Sequence, residues 1–121
     1  MQKVFITGVA GFLGSHLAKK MSEAGWSVAG NDNFIGSDKS NLQEFVEFFE
    51  IDCCDLDGMQ KAMANSDLVF HCAATAHEGL SVFSPSFITK NNYEASVSTF
   101  TAAINCGVQR IVFCSSMARY G

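Results

Sequence analysis

Val4-Phe5-Ile6-Thr7-Gly8-Val9-Ala10-Gly11-Phe12-Leu13-Gly14 is the stretch on which the fold turns. A short apolar run is followed by three glycines at three-residue spacing and then by Leu17-Ala18-Lys19-Lys20-Met21, which has helical periodicity. A strand, a glycine turn and a helix in that order present a helix N-terminus, with its free N–H groups and partial positive charge, to a phosphate. Gly8 suits the turn out of the strand. Gly11 admits close approach of a pyrophosphate, and Gly14 lets the helix pack tightly. The spacing is G-x-x-G-x-x-G; no Lys-Ser/Thr follows, so it is not a Walker loop. A tight strand–helix turn without a ligand is the other reading of these residues.

Outward from this turn the chain alternates strand and helix patterns. The expected elements are strand 3–7, helix 12–24, strand 26–31, a helical turn over 41–45 and strand 46–51. A helix capped by Asp55 follows, then strand 68–73, a helix over about 86–105 and strand 110–114. Phe12, Leu13, Leu17, Ala18 and Met21 are expected to form the apolar face of the first helix, with Lys19, Lys20 and Glu23 in water. Gly25 and Gly107 read as helix stops, and Ser84-Pro85 as a helix start. Strands separated by helices imply right-handed crossovers and a parallel α/β sheet, and the near-continuous apolar strands imply cover on both faces.

Composition narrows the class. With 121 residues, 48% hydrophobic and 17% charged, this is one globular domain. A net charge of −4 disfavours nucleic acid and anionic membranes as main partners. No apolar run is long enough to span a bilayer, and no signal-peptide pattern precedes the first strand, so a cytoplasmic location is expected. The five cysteines, Cys53, Cys54, Cys72, Cys106 and Cys114, include no C-x-x-C pair. That argues against a disulfide framework and against a metal site. Cys53-Cys54 is either a redox pair or ordinary packing, and packing is the expected role.

Candidate functional residues cluster where the predicted strands end. Asp32 lies 18 residues after Gly14 and is placed to accept hydrogen bonds from an adenosine ribose. Its charge repels a 2′-phosphate, which favours NAD over NADP; Lys39 is the nearby cation. The competing role for Asp32 is a turn-forming Asp-Asn pair. Asp52 ends the third strand as an adenine ligand or a loop carboxylate. Ala73-Ala74 leaves room for a flat ligand or simply packs. His71 reads as a satisfied core histidine, His16 as structural, and His77-Glu78 as a loop pair within reach of a substrate. Ser115-Ser116 is either a cap or a pair of hydroxyls at the sheet edge; there is no G-x-S-x-G elbow.

Taken together, Thr7–Gly14, Asp32-Asn33-Phe34, Asp52, His71-Cys72-Ala73-Ala74, Ser84-Pro85, Asn91-Asn92 and Ser115-Ser116 with Tyr120-Gly121 resemble the extended short-chain dehydrogenase/reductase family. The similarity is to its NAD-dependent epimerase/dehydratase branch, which acts on nucleotide sugars, and covers the whole chain. The resemblance implies a Rossmann-type doubly wound parallel sheet of about five strands, order 3-2-1-4-5, with helices on both faces. It implies that Gly8, Gly11, Phe12, Leu13 and Gly14 cradle the pyrophosphate of NAD, that Asp32 and Asn33 hold the ribose with Gly36 nearby, and that Asp52 and Cys53 meet adenine. It implies that Cys72, Ala73, Ala74, Ala76 and Asn91 line the way to the nicotinamide, and that Ser116 is the catalytic hydroxyl.

Three departures qualify the resemblance. Ala95-Ser96 stands for the family's Gly-Thr, and Met117-Ala118 for the acidic pair of dehydratases, which leaves epimerase or dehydrogenase chemistry. The family's Y-x-x-x-K does not occur in this sequence: Tyr93 is followed four residues later by Val97. The expectation is therefore an N-terminal cofactor half that binds NAD weakly and does not turn over alone. Its apolar fifth strand is expected to make it self-associate or form a homo-oligomer. A non-catalytic NAD-binding module and a flavodoxin-like domain without a dinucleotide are the alternatives.

Overall fold

A computed structural model describes residues 2–35, 37–73, 86 and 89–114, the Asn91 side chain excepted. Five strands form one sheet: β1 Lys3–Thr7, β2 Ser27–Asn31, β3 Glu47–Phe49, β4 Leu68–His71 and β5 Arg110–Phe113. Their order is β3-β2-β1-β4-β5 and every pairing is parallel. The helices are α1 Phe12–Glu23, α2 Leu56–Ala62 and α3 Ala95–Asn105. The expected fold class and strand order are both observed.

Period-two alternation in the strands assigns residues to the two faces of the sheet. Phe5, Ala29 and Val69 point to one side and meet Met59, Ala62 and Met63 with Ala95, Ala102 and Ala103 of α3. Val4, Ile6 and Val28 point to the other and meet Val9, Ala18 and Val46. β1 is central, and Val4, Phe5, Ile6 and Thr7 are fully buried. Because both faces of β1 are covered, its C-terminal end is fixed from two sides. The glycine turn emerges from that end.

Helix ends follow the sequence signals. Gly25 (φ 92) and Gly107 (φ 72) close α1 and α3 in the left-handed region. The Asp55 carboxylate accepts the Gly58 N–H at 3.0 Å and caps α2.

Other expectations shift. Trp26 belongs to the turn after α1, its N–H donating to the Met21 carbonyl, so β2 starts one residue later. β3 is shortened because Ile51 N–H turns back onto the Phe49 carbonyl. The turn expected over 41–45 is a 3₁₀ turn at Lys39–Asn41, set by Asp38, which accepts the Ser40 N–H. The long helix is not uniformly α: Lys90–Glu94 form a π turn before α3. Phe12 and Leu13 are not on the apolar face of α1. They are 82% and 47% exposed, because α1 meets the sheet through Gly14, Ser15 and Ala18 farther along. β5 is an edge strand among the described residues, with Val112 and Phe113 exposed, and is not covered on both faces.

Gly14 shows why α1 lies where it does. A Cβ there would overlap the Gly8 carbonyl oxygen and approach the Val9 Cα to 3.0 Å. Ordinarily Gly→Ala inside a helix stabilises by about 0.5–1 kcal/mol. Here backbone has to move, so Gly14→Ala is expected to reverse that sign and destabilise by about 1–3 kcal/mol. Urea unfolding of the variant reads the sign directly.

Candidate functional site

The C-terminal ends of β1, β2 and β4 open into one cleft of about 100 Å³. It is lined by Gly8, Gly11, Asn31, Asp32, Asn33, Ile35, Ser37, Ile51, Asp52, Cys53, Cys72, Ala73 and Ala95. Eight of these residues, Gly8, Gly11, Asp32, Asn33, Asp52, Cys53, Cys72 and Ala73, were identified from sequence. Phe12 and Leu13 stand exposed at the start of α1, and Gly14 is buried beneath the turn. Gly36, Ala74, Ala76 and Ser116 lie outside the described residues, as do His77, Ser84, Pro85 and Tyr120.

The glycine turn is built by close approach. Gly8 has φ 67, and a Cβ there would sit 2.9 Å from the Ala73 Cα. Its carbonyl accepts the Gly11 N–H at 2.9 Å, while Val9 N–H reaches the Asn31 carbonyl at 3.1 Å. The first helical bond of α1 runs from Ser15 N–H to Gly11 C=O. N–H groups ahead of that bond have no acceptor within the helix, and Gly11 carries no side chain to cap them. This end of α1 therefore has the donor chemistry to take an anion.

Asp32 serves the turn and the cleft together. It is buried, and its Oδ2 accepts the Ala10 N–H at 3.0 Å. Its Oδ1 accepts from the Phe34 N–H and the Ser37 hydroxyl, each at 2.9 Å. The Asp-turn and the ribose roles are thus compatible: a carboxylate offers about four acceptor sites, of which three are used here. The turn forces Phe34 to φ 62, a strained value for a bulky residue, and its ring packs 5.4 Å from that of Phe48. Lys39 lies over the same ring at 5.4 Å.

Asp52 accepts the Cys54 N–H at 2.8 Å and the Asn33 amide at 3.2 Å, which ties the β3 loop to the β2 loop. Asn31, passed over in the sequence, is fully buried in the cleft floor. Its amide donates to the Ile51 carbonyl at 3.0 Å, and its Oδ1 has no partner among the described residues. Its place at the end of β2, two residues after the buried Ala29 and so on the same side of the strand, was the available signal.

Thr7 and His71 organise the opposite wall. The Thr7 Oγ1 accepts the N–H groups of Cys72 and Ala73, each at 3.0 Å. A hydroxyl accepts twice and donates once, so its proton goes to His71 Nδ1, 2.7 Å away. His71 is consequently the Nε2–H tautomer, donating to the Ser96 Oγ at 2.8 Å. Ser96 in turn donates to the Asn92 carbonyl at 2.6 Å. The core-histidine expectation holds, while the role of Thr7 was not legible beforehand. His16, on the first turns of α1, donates through Nδ1 to the Phe12 carbonyl at 2.7 Å, a local contact consistent with its structural role.

The cysteines are packing groups. Burial pushes the Cys53 thiol up, and burial with the Asp52 charge pushes Cys54 up to about 11. Neither is an activated thiolate. Cys72 and Cys114 extend the β4–β5 register and approach to 3.5 Å between sulfurs. Burial first, and then its neighbour, hold the Cys72 thiol protonated. Among the described residues no cluster of three or more His, Cys, Asp or Glu has metal-site geometry, and no helix is long and apolar enough to cross a membrane.

A parallel sheet of order 3-2-1-4-5, with a glycine turn after its central strand and carboxylates at the ends of β2 and β3, defines the doubly wound dinucleotide-binding class. The chain belongs to the NAD dependent epimerase/dehydratase family, whose model matches residues 4–121. It is 33% identical to a UDP-glucose 4-epimerase of Streptomyces lividans over 98% of this chain and 37% of that protein. A UDP-glucose 4-epimerase structure from Brucella ovis in complex with NAD superposes with TM-score 0.92 at 32% identity, covering all of this chain and 38% of that one. The Thermotoga maritima UDP-glucose 4-epimerase with UDP-glucose gives TM-score 0.91 at 32% identity, over 95% and 38%. The chain thus spans about two fifths of the length of these relatives.

Burial pushes the His71 pKa down to about 4, against about 6.5 for a free imidazole. The unfolded chain therefore takes up a proton near pH 6.5 that the folded chain refuses until about pH 4. Stability is fully present above pH 6.5 and falls as the pH drops through that window, by on the order of 2–3 kcal/mol. Urea midpoints measured from pH 7 to pH 4.5 are expected to decline less steeply in His71→Gln than in the parent.

Proposed function

We propose that this chain is the NAD-binding part of a nucleotide-sugar epimerase. The observation that carries this is the meeting of the glycine turn, Asp32 and Asp52 in one cleft, with Asp32 bonded to the turn itself through Ala10 N–H. The residues fit a dinucleotide. Side chains are excluded at Gly8 and Gly14 by contact with backbone, which leaves the turn bare, and Asp32 keeps an acceptor site free.

In this proposal the first-turn N–H groups of α1 hold the pyrophosphate, with Phe12 and Leu13 beside them. Asp32 accepts from the adenosine ribose, with Asn33 and Gly36 nearby. The negative carboxylate excludes a 2′-phosphate, and Lys39, engaged on Phe34, is not aimed to offset it. Asp52 and the Cys53 backbone meet the adenine edge. Cys72, Ala73, Ala74, Ala76 and Asn91 bound the path to the nicotinamide.

NAD supplies, when bound, the hydride acceptor and donor for oxidation and reduction at a sugar carbon. Ser116 is proposed to donate a hydrogen bond to the oxygen on that carbon, fixing its orientation for proton transfer. Met117-Ala118 offers neither acid nor base, which supports epimerisation over dehydration. A cytoplasmic setting and self-association through the β5 edge, where Val112 and Phe113 are exposed, belong to the same proposal. Light scattering that finds only monomer overturns the latter.

Calorimetric titration with NAD tests the central claim. The parent is expected to bind NAD in preference to NADP. Asp32→Asn, which keeps an acceptor for the turn but removes the charge, is expected to weaken NAD binding by roughly tenfold or more. Unchanged affinity in a folded Asp32→Asn chain removes the ribose role.

A further inference from the structure

Thr7, His71, Ser96 and the Asn92 carbonyl form a chain of hydrogen bonds with a single polarity, buried at the Thr7–His71 link and part-buried beyond it. Were His71 the other tautomer, the Thr7 oxygen would face three N–H donors and its own proton would lose its acceptor. Were Ser96 to donate to the ring, the Asn92 carbonyl would lose the 2.6 Å bond that it now accepts. Each link therefore fixes the next. The ring lies between Phe100, edge-on at 5.7 Å, and Phe113, stacked at 5.9 Å. Partial removal from water strengthens such hydrogen bonds and makes a broken link costly.

The ends of this chain matter more than its middle. Thr7 precedes Gly8, and Ser96 follows Ala95, and both Gly8 and Ala95 line the cleft. The chain begins at the glycine turn and ends in the π turn, Lys90–Glu94, ahead of α3. A serine hydroxyl bonded to the carbonyl four residues back perturbs helical geometry. Here that hydroxyl is itself held by the strand beneath it.

We propose that His71 is a positioning residue: through Thr7 on one side and Ser96 on the other it locks the π turn to the glycine turn and so sets the width of the cleft. It touches no ligand. Its effect on NAD rests on the function proposed above, but its tautomer and its grip on the π turn do not.

Two measurements on the 121-residue chain test this. Long-range proton–nitrogen NMR of His71 is expected to show Nε2 protonated and Nδ1 bare; a protonated Nδ1 in the parent overturns the proposal. Ser96→Ala is expected to weaken NAD binding by about threefold to tenfold in the parent. It is expected to add nothing in Thr7→Val or in His71→Phe, where the chain is already broken, and to regain its cost in Thr7→Ser, where the hydroxyl is restored. An equal cost of Ser96→Ala in all four backgrounds, or none in the parent, overturns the positioning role. If the parent does not bind NAD, the cofactor proposal fails separately. The same cycle is then scored on amide hydrogen exchange across Lys90–Ser96, where additive effects overturn this proposal.

Discussion

The fold depends on backbone segments approaching more closely than side chains allow. A Cβ at Gly8 would lie 2.9 Å from the Ala73 Cα, and one at Gly14 would overlap the Gly8 carbonyl. The β1 exit, the β4 exit and the start of α1 are thereby compressed into one junction. With these contacts in place, α1 starts against the Gly8 carbonyl, and its N-cap residue Gly11 lines the cleft. Larger residues at these positions would separate the helix from the sheet and remove the bare N–H groups with it.

Polar side chains hold that junction without filling it. Asp32 ties β2 to the turn through Ala10, and Thr7 ties β1 to the backbone after β4. Both are buried, and each makes three hydrogen bonds within the chain. A buried polar group that is satisfied in this way specifies one arrangement, because any other leaves donors orphaned. Asn31 departs from this, its Oδ1 unpartnered among the described residues in the cleft floor. Two carboxylates and a set of helix N–H groups then face the same open space. The one favours hydroxyl and amino donors and the other favours an anion, as the parts of a dinucleotide require.

Membership of the epimerase/dehydratase family is consistent with this arrangement and extends along the chain from residue 4 to 121. Ser96 receives His71 and passes the contact to the π turn. Cys72 and Cys114, which follow β4 and β5, approach to 3.5 Å, and burial holds the Cys72 thiol protonated.

The sequence by itself determined the parallel sheet and the strand-end carboxylates and glycine turn of the cleft; the strand order was implied by the family resemblance alone. Periodicity, glycine spacing and strand-terminal carboxylates are local signals. Asp32 was legible as a cleft residue for that reason, and Asp55 as a helix cap. It did not show that Asp32 binds the glycine turn, that Thr7 fixes the His71 tautomer, or that Phe12 and Leu13 stand in water. Those facts join residues some 20 to 70 positions apart, or depend on where a helix first meets the sheet. The π turn was also invisible, since Lys90–Glu94 fits an α pattern equally well. Tertiary structure decided these matters because a hydrogen bond or an exposure is set by what packs opposite, which no local pattern records.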